Sequence, residues 1–184
     1  MPLRTVVKVG SVTNLSDARY CAGMGVDMLG FNVQKGQENY VPPKQFQEIR
    51  GWVTGPLVVA EVYGIKRQDE LNDILENYKP DYLEMGLAEF SLFASFPLPI
   101  ILFIAENESV PDSHVMPAYL LSEVARNTPD TYPLLLAIKS EHDLDLALDN
   151  PHIEGIAMKG SNELRPGLKD YAVLAEILER LEVD

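Results

Sequence analysis

Short apolar runs and helix-spaced apolar faces alternate along this chain from end to end. The first unit sets the pattern. Val6 to Gly10 is an apolar run carrying one charge, Lys8, and it stops at Gly10-Ser11. Asn14 or Ser16 then offers an N-cap, and helical spacing follows through Cys21. Seven further strand-like runs are read at Asp27 to Val33, Pro56 to Val62, Asp81 to Leu87, Pro99 to Ala105, Ala118 to Val124, Pro133 to Ile138 and Ile153 to Met158. Helices are predicted from Pro42-Pro43 through Trp52, over Gln68 to Tyr78, Glu141 to Leu148 and Lys169 to Leu181. Glu89 to Phe96 reads as a short amphipathic turn or helix. The polar stretch between runs five and six holds two prolines and has no room for a helix, and Arg126 to Tyr132 has room only for a turn.

Most of these runs are continuously apolar rather than alternating, as expected of parallel strands buried on both faces. Eight of them with intervening helices predict a single α/β domain over residues 1–184, a (βα)8 TIM barrel. It is a shortened barrel, with the helices after strands five and six missing or reduced. No Gly-x-Gly-x-x-Gly follows the first strand, which argues against an open dinucleotide-binding sheet.

Composition narrows the partners. With 28 acidic against 15 basic residues the net charge is −13, which repels phosphate backbones and anionic lipid surfaces. Nucleic acid and membranes are therefore not expected partners, and a small molecule or another protein is. One cysteine, Cys21, allows no internal disulfide and no cysteine zinc cluster. His114, His142 and His152 fall in separate places, so no metal and no cofactor is expected. No apolar run reaches the ~20 residues of a membrane span, and Met1 to Thr5 opens no secretory signal. A cytoplasmic location is the expectation.

Several strand ends carry a resemblance. Lys8-Val9-Gly10-Ser11-Val12-Thr13-Asn14 is similar to the Lys-Ile-Cys-Gly-Ile-Thr-Asn opening of phosphoribosylanthranilate isomerase, a (βα)8 enzyme of tryptophan biosynthesis. Met28-Leu29-Gly30-Phe31, Asn39-Tyr40-Val41-Pro42 and Glu84-Met85-Gly86-Leu87 resemble later motifs of that family. Met158-Lys159-Gly160 and Pro166-Gly167-Leu168-Lys169-Asp170 resemble its closing ones. The resemblance implies a general base at the position of Gly10 and a general acid at that of Ser122, where the family has cysteine and aspartate. It also puts Asn39 where the family has an arginine for the substrate carboxylate, and Ile138-Lys139 in place of a Gly-Gly phosphate loop. Glycine moves no proton and serine is a poor acid, so the ancestral reaction is expected to be lost.

The barrel mouth then has to be read from its remaining charges. Lys8, Glu61, Glu84 and Lys139 lie within apolar runs, where a charge is costly unless paired or used. Lys8 and Glu84 are expected to point inward as a buried pair, with Glu61 a candidate to join them. Lys159 and Gly160 are candidates for a phosphate, and Glu106 and Glu123 for the rim. Three uses stay open at this level. One is a barrel that binds a small molecule or a protein, the protein favoured by an apolar rim of Tyr63, Leu87 and Phe90. Another is a divergent enzyme using lysines and glutamates of the mouth, including Lys8 as a Schiff-base nucleophile. The last is a working isomerase with replaced catalytic groups.

Overall fold

The eight runs become eight strands: β1 (Val6–Gly10), β2 (Met28–Asn32), β3 (Leu57–Glu61), β4 (Tyr82–Gly86), β5 (Ile100–Phe103), β6 (Tyr119–Ser122), β7 (Leu134–Ala137) and β8 (Ile153–Lys159). They come from a computed structural model that describes residues 3–124, 132–160, 163–165, 168–169 and 171–183. Each strand pairs in parallel with the next, and β8 closes on β1 with Val6 beside Gly155 and Gly10 beside Lys159. The result is a closed eight-stranded barrel, shortened as the sequence predicts.

Alternation along the strands sorts the apolar side chains into two cores. Val7, Val9, Leu29, Phe31, Leu83 and Met85 face outward and pack under the helices. Met28, Val59, Ile101, Leu121, Leu135 and Ala157 face inward and fill the barrel. Tyr82 and Tyr119, with ring centroids 6.2 Å apart, pack against this inner core at the N-terminal end of their strands. The opposite end, where the strands give way to the loops entering the helices, is the mouth.

The helices are α1 (Leu15–Gly23), α2 (Pro43–Arg50), α3 (Gln68–Tyr78), α4 (Leu87–Phe90), α5 (Glu141–Asp149) and α6 (Ala172–Leu181). Their starts have local causes. Asn14 caps α1 by accepting from the Asp17 N–H at 2.9 Å, and Ser140 caps α5 by accepting from Asp143. Pro43 opens α2, where its missing N–H costs nothing. Residues 104–118, between β5 and β6, hold no helix. The turn expected over Arg126 to Tyr132 falls, but for Tyr132, outside the described residues.

Three boundaries differ from the sequence reading. Helix α2 stops at Arg50, and Trp52 lies beyond it, exposed. Helix α4 begins at Leu87, directly off β4, rather than at Glu89. Helix α6 begins at Ala172 and not Lys169, because the backbone of Leu168–Lys169 (β10) pairs antiparallel with Glu163–Arg165 (β9).

Candidate functional site

The inner core ends at a layer of charge. Parallel register sets Glu61 of β3 directly beside Glu84 of β4, two like charges on one face of neighbouring strands. Lys8 enters from β1 and neutralises part of this. Its Nζ lies 2.5 Å from Glu84 Oε2 and 3.1 Å from Glu61 Oε1. All three are buried, at 2%, 5% and 4% exposure. The expected Lys8–Glu84 pair is present, and Glu61 makes it a triad. Tyr63, just past β3, donates its hydroxyl to Glu84 Oε1 at 2.8 Å. Each carboxylate oxygen of the layer therefore faces a donor or the lysine ammonium.

Two glycines make room for Glu61. A side chain at Gly10 would overlap Glu61 Oε1 and come within 2.8 Å of Lys8 Nζ, and one at Gly30 would overlap the same oxygen. The Glu61 carboxylate thus lies across β1 and β2, in the volume that larger residues there would fill. Ser11 holds it from above. Its φ of +54° is left-handed, uncommon for a residue with a Cβ, and its N–H donates to Glu61 Oε1 and Oε2 at 3.1 and 3.2 Å. The Ser11 hydroxyl adds a longer contact to Oε2 at 3.4 Å. The candidate base position is therefore not an empty hole but one filled by a carboxylate from two strands away.

Burial works against the Lys8 charge, but Glu84 and then Glu61 outweigh it and hold the ammonium well above the usual lysine range. Such a lysine stays protonated and is no Schiff-base nucleophile, which removes that role for Lys8. Burial raises the Glu84 carboxyl above its ordinary value; Lys8 opposes this, Glu61 adds to it and the Tyr63 bond opposes it. Burial also raises the Tyr63 phenol, further raised by Glu84 beside it. With both glutamates ionised the layer carries one surplus negative charge.

Above this layer opens a cavity of about 670 Å³. Phe103, Leu121, Ala137 and Ala157 form inward walls, and Asn32, Gln37 and Asn39 border it on the β2 side. Asn39 thus stands at the mouth, as the resemblance implies. Ser122 does not. Leu121 faces the barrel, so Ser122 turns outward, where it is buried and its Oγ accepts from the Val124 N–H at 3.3 Å. From β6 the mouth receives Leu121 and Glu123. Four-residue strands leave a one-residue ambiguity that a partial motif does not resolve, and one residue reverses the face.

Lys139 borders the cavity, but not from within a strand: β7 ends at Ala137, and Lys139 stands exposed on the rim, 3.3 Å from Glu123. Lys159 ends β8 as an exposed rim residue beside Gly160. The Gly160 N–H already donates to the Gly10 carbonyl at 2.6 Å, and the Lys139 N–H to Asp143 Oδ2 at 2.9 Å. Neither of these donors is open to a phosphate. Glu106 is exposed and does not border the cavity. Tyr63, Leu87 and Phe90 do not form the expected apolar rim: Phe90 is buried against Phe96, Leu87 packs half-buried on the outer core, and Tyr63 is bound to Glu84.

One residue of the mouth escaped sequence reasoning. Glu89 of α4 accepts from the N–H of Gly64 at 2.9 Å and from that of Gly86 at 3.1 Å, joining the ends of β3 and β4. The two donors lie 25 and 3 residues from it, so no local pattern reveals both. Glu89→Ala is expected to cost about 1–3 kcal/mol, the usual effect of leaving part-buried donors unpaired. Chemical denaturation measures the loss, and hydrogen exchange should quicken at Gly64 and Gly86. Among the described residues, no group of three or more His, Cys, Asp or Glu could hold a metal ion.

Comparison with solved structures adds the fold's relatives. A phosphoribosyl anthranilate isomerase from Thermus thermophilus superposes with a TM-score of 0.73 at 17% identity, covering 96% of this chain and 98% of that one. The enzyme from Pyrococcus furiosus gives 0.72 at 14% identity, with coverages of 96% and 98%. A third isomerase, in complex with reduced 1-(o-carboxyphenylamino)-1-deoxyribulose 5-phosphate, gives 0.68 at 14%, with coverages of 95% and 97%. The fold is that of the phosphoribosylanthranilate isomerase structures. Neither a protein-family model nor a curated protein sequence matches the chain. At these identities the likeness is one of architecture, and the chemistry of the mouth has to be read from its own residues. No helix among the described residues is long and apolar enough to cross a membrane.

Proposed function

We propose that this chain is an isomerase-like barrel that no longer isomerises phosphoribosylanthranilate and keeps its mouth as a small-molecule binding site. The observation that carries the reading is the Glu61 carboxylate, laid over Gly10 and Gly30 and tied to Lys8 and Ser11. A base must reach a substrate carbon with a free lone pair. Glu61 instead spends its oxygens on an ammonium, an amide and a hydroxyl. The amide donors at Lys139 and Gly160 are committed within the chain, so a phosphate would have to displace existing hydrogen bonds. The cavity, by contrast, has the size of ordinary ligand sites, which run ~300–1,000 Å³. Small-molecule binding, rather than a protein partner, is favoured because Phe90 is buried and Tyr63 is tied to Glu84.

One observation favours a second reading. Glu61 stands where the base would be, and Glu123 reaches the mouth beside the position assigned to the acid. A functional isomerase with replaced groups would use these two residues. Growth separates the readings. Expressed in a strain lacking the isomerase, the chain is expected to give no growth without tryptophan, and growth would overturn the proposal. Gly10→Cys should not restore it, because the new side chain meets Glu61 rather than a substrate.

A further inference from the structure

We infer that the mouth takes an uncharged organic molecule with an apolar body and one hydrogen-bond acceptor, which it offers to the third N–H of Lys8. The inference rests on the binding-site reading above and follows from accounting for every polar group around the cavity floor. An ammonium has three donors. Among the described residues Lys8 gives two, to Glu61 and Glu84, and it lines the cavity. Among the described residues it is the donor of the floor with an N–H left over.

The charge of the visitor follows from what surrounds that N–H. An anion at that N–H would lie against two buried glutamates, while the lysines that also border the cavity, Lys139 and Lys159, stand exposed on its rim and the amides of Gly160 and Lys139 are already committed. A cation would face Lys8 itself, with all four carboxylate oxygens of the floor already in contact with a donor or the ammonium. A neutral carbonyl, amide or hydroxyl meets neither objection.

The walls decide the rest of the molecule. Ala137 and Ala157 are paired neighbours on β7 and β8, and Ala157 is the partner of Lys8 on β1. These small side chains leave a channel down to the ammonium, with Phe103 and Leu121 continuing the wall on β5 and β6. Phe103 and Ala137 point into the barrel yet stay partly exposed, because nothing among the described residues fills the space before them. A flat ring or short aliphatic body fits there with its acceptor downward.

Three probes with one ring separate the possibilities: benzamide is neutral, benzoate anionic and benzamidine cationic. Titration followed by methyl NMR should show benzamide shifting Ala137 and Ala157, with benzoate and benzamidine weaker by about tenfold or more, a difference near 1.4 kcal/mol. Ala137→Leu, which fills the channel without touching the triad, should abolish the benzamide shifts while the melting temperature holds. If benzamide binds this variant unchanged, or if none of the probes shifts either methyl, the inference is wrong. Tighter binding of benzoate or benzamidine at those methyls overturns the neutral ligand but leaves a small-molecule site. Tightest binding by reduced 1-(o-carboxyphenylamino)-1-deoxyribulose 5-phosphate overturns the inference and the proposed function together.

Discussion

Lys8→Met is expected to lower the unfolding free energy by about 3–5 kcal/mol, the usual result of removing one partner from a buried ion pair. For a chain of this length that is a fall in melting temperature of roughly 10 °C. The cause is the pair of neighbours left behind. Glu61 and Glu84 would stand side by side without a cation, each almost wholly buried. Glu84→Gln should be milder. It removes one of the two neighbouring negative charges, but its single amide oxygen must serve either Tyr63 or Lys8, so it should still cost stability, though less than Lys8→Met. Lys8→Met with Glu84→Leu recovers less than a simple pair would, since Glu61 remains. The companion change that restores balance is Glu61→Gln.

Acid dependence follows from the same layer. The Glu84 carboxyl is raised in the fold above its ordinary 4.5, so the folded chain binds that proton more tightly than the unfolded one. Its contribution to stability is full below the unfolded value and is lost as pH rises through the folded one. Lys8 is also raised, above 10.5, so its contribution is full below that value and is lost only as pH climbs past the folded one. Lys8→Met should therefore regain part of its loss as pH falls, because Glu84, raised by burial, takes a proton more readily once the lysine that opposes that rise is gone. Glu84→Gln should remove the parent's acid-side slope. Denaturant titrations at several pH values measure both.

The second large effect is expected at a residue with no side chain. Gly30→Ala places a Cβ on Glu61 Oε1, and neither can give way cheaply. The backbone of Gly10 lies 3.0 Å behind, and the carboxylate is tethered to Lys8 and Ser11. Overpacking typically costs ~1–3 kcal/mol, and the disturbed ion contact adds to it. Glu61→Ala alone should cost less than Lys8→Met, because it leaves Lys8 and Glu84 as a balanced pair. In that background Gly30→Ala should be nearly silent. A double-mutant cycle should then give a coupling of roughly 1–3 kcal/mol between positions 30 and 61. Additive costs would mean that the carboxylate does not occupy the glycine pocket.

How much of this was legible depends on what each feature obeys. The strands obey burial on two faces, which leaves unbroken apolar runs, and all eight were readable within one or two residues. Lys8 and Glu84 were readable because a charge in such a run needs a partner, and because Lys8 alternates with Gly10. The reach of Glu61 over β1 and β2 was not. It depends on the stagger of strands around the closed barrel, which no single run encodes. Ser122 failed at the end of a short strand, where a shift of one residue turns a side chain outward, and Lys139 lies at the cavity rim beyond the end of β7 rather than in a strand. The occupied amides of Gly160 and Lys139 belong to loops, and only three-dimensional contacts reveal their partners. Helix α6 was drawn three residues too long because the pairing of β10 with β9 overrides the helical pattern at Lys169.

The central claim is that Glu61 occupies the place of a catalytic base without serving as one. The measurement that bears on it most directly is consumption of phosphoribosylanthranilate by the purified parent protein and by Glu61→Gln, followed in parallel at neutral pH. Neither is expected to exceed the uncatalysed rate. Turnover by the parent that disappears in Glu61→Gln would contradict the claim, and would identify Glu61 as the base of a working isomerase.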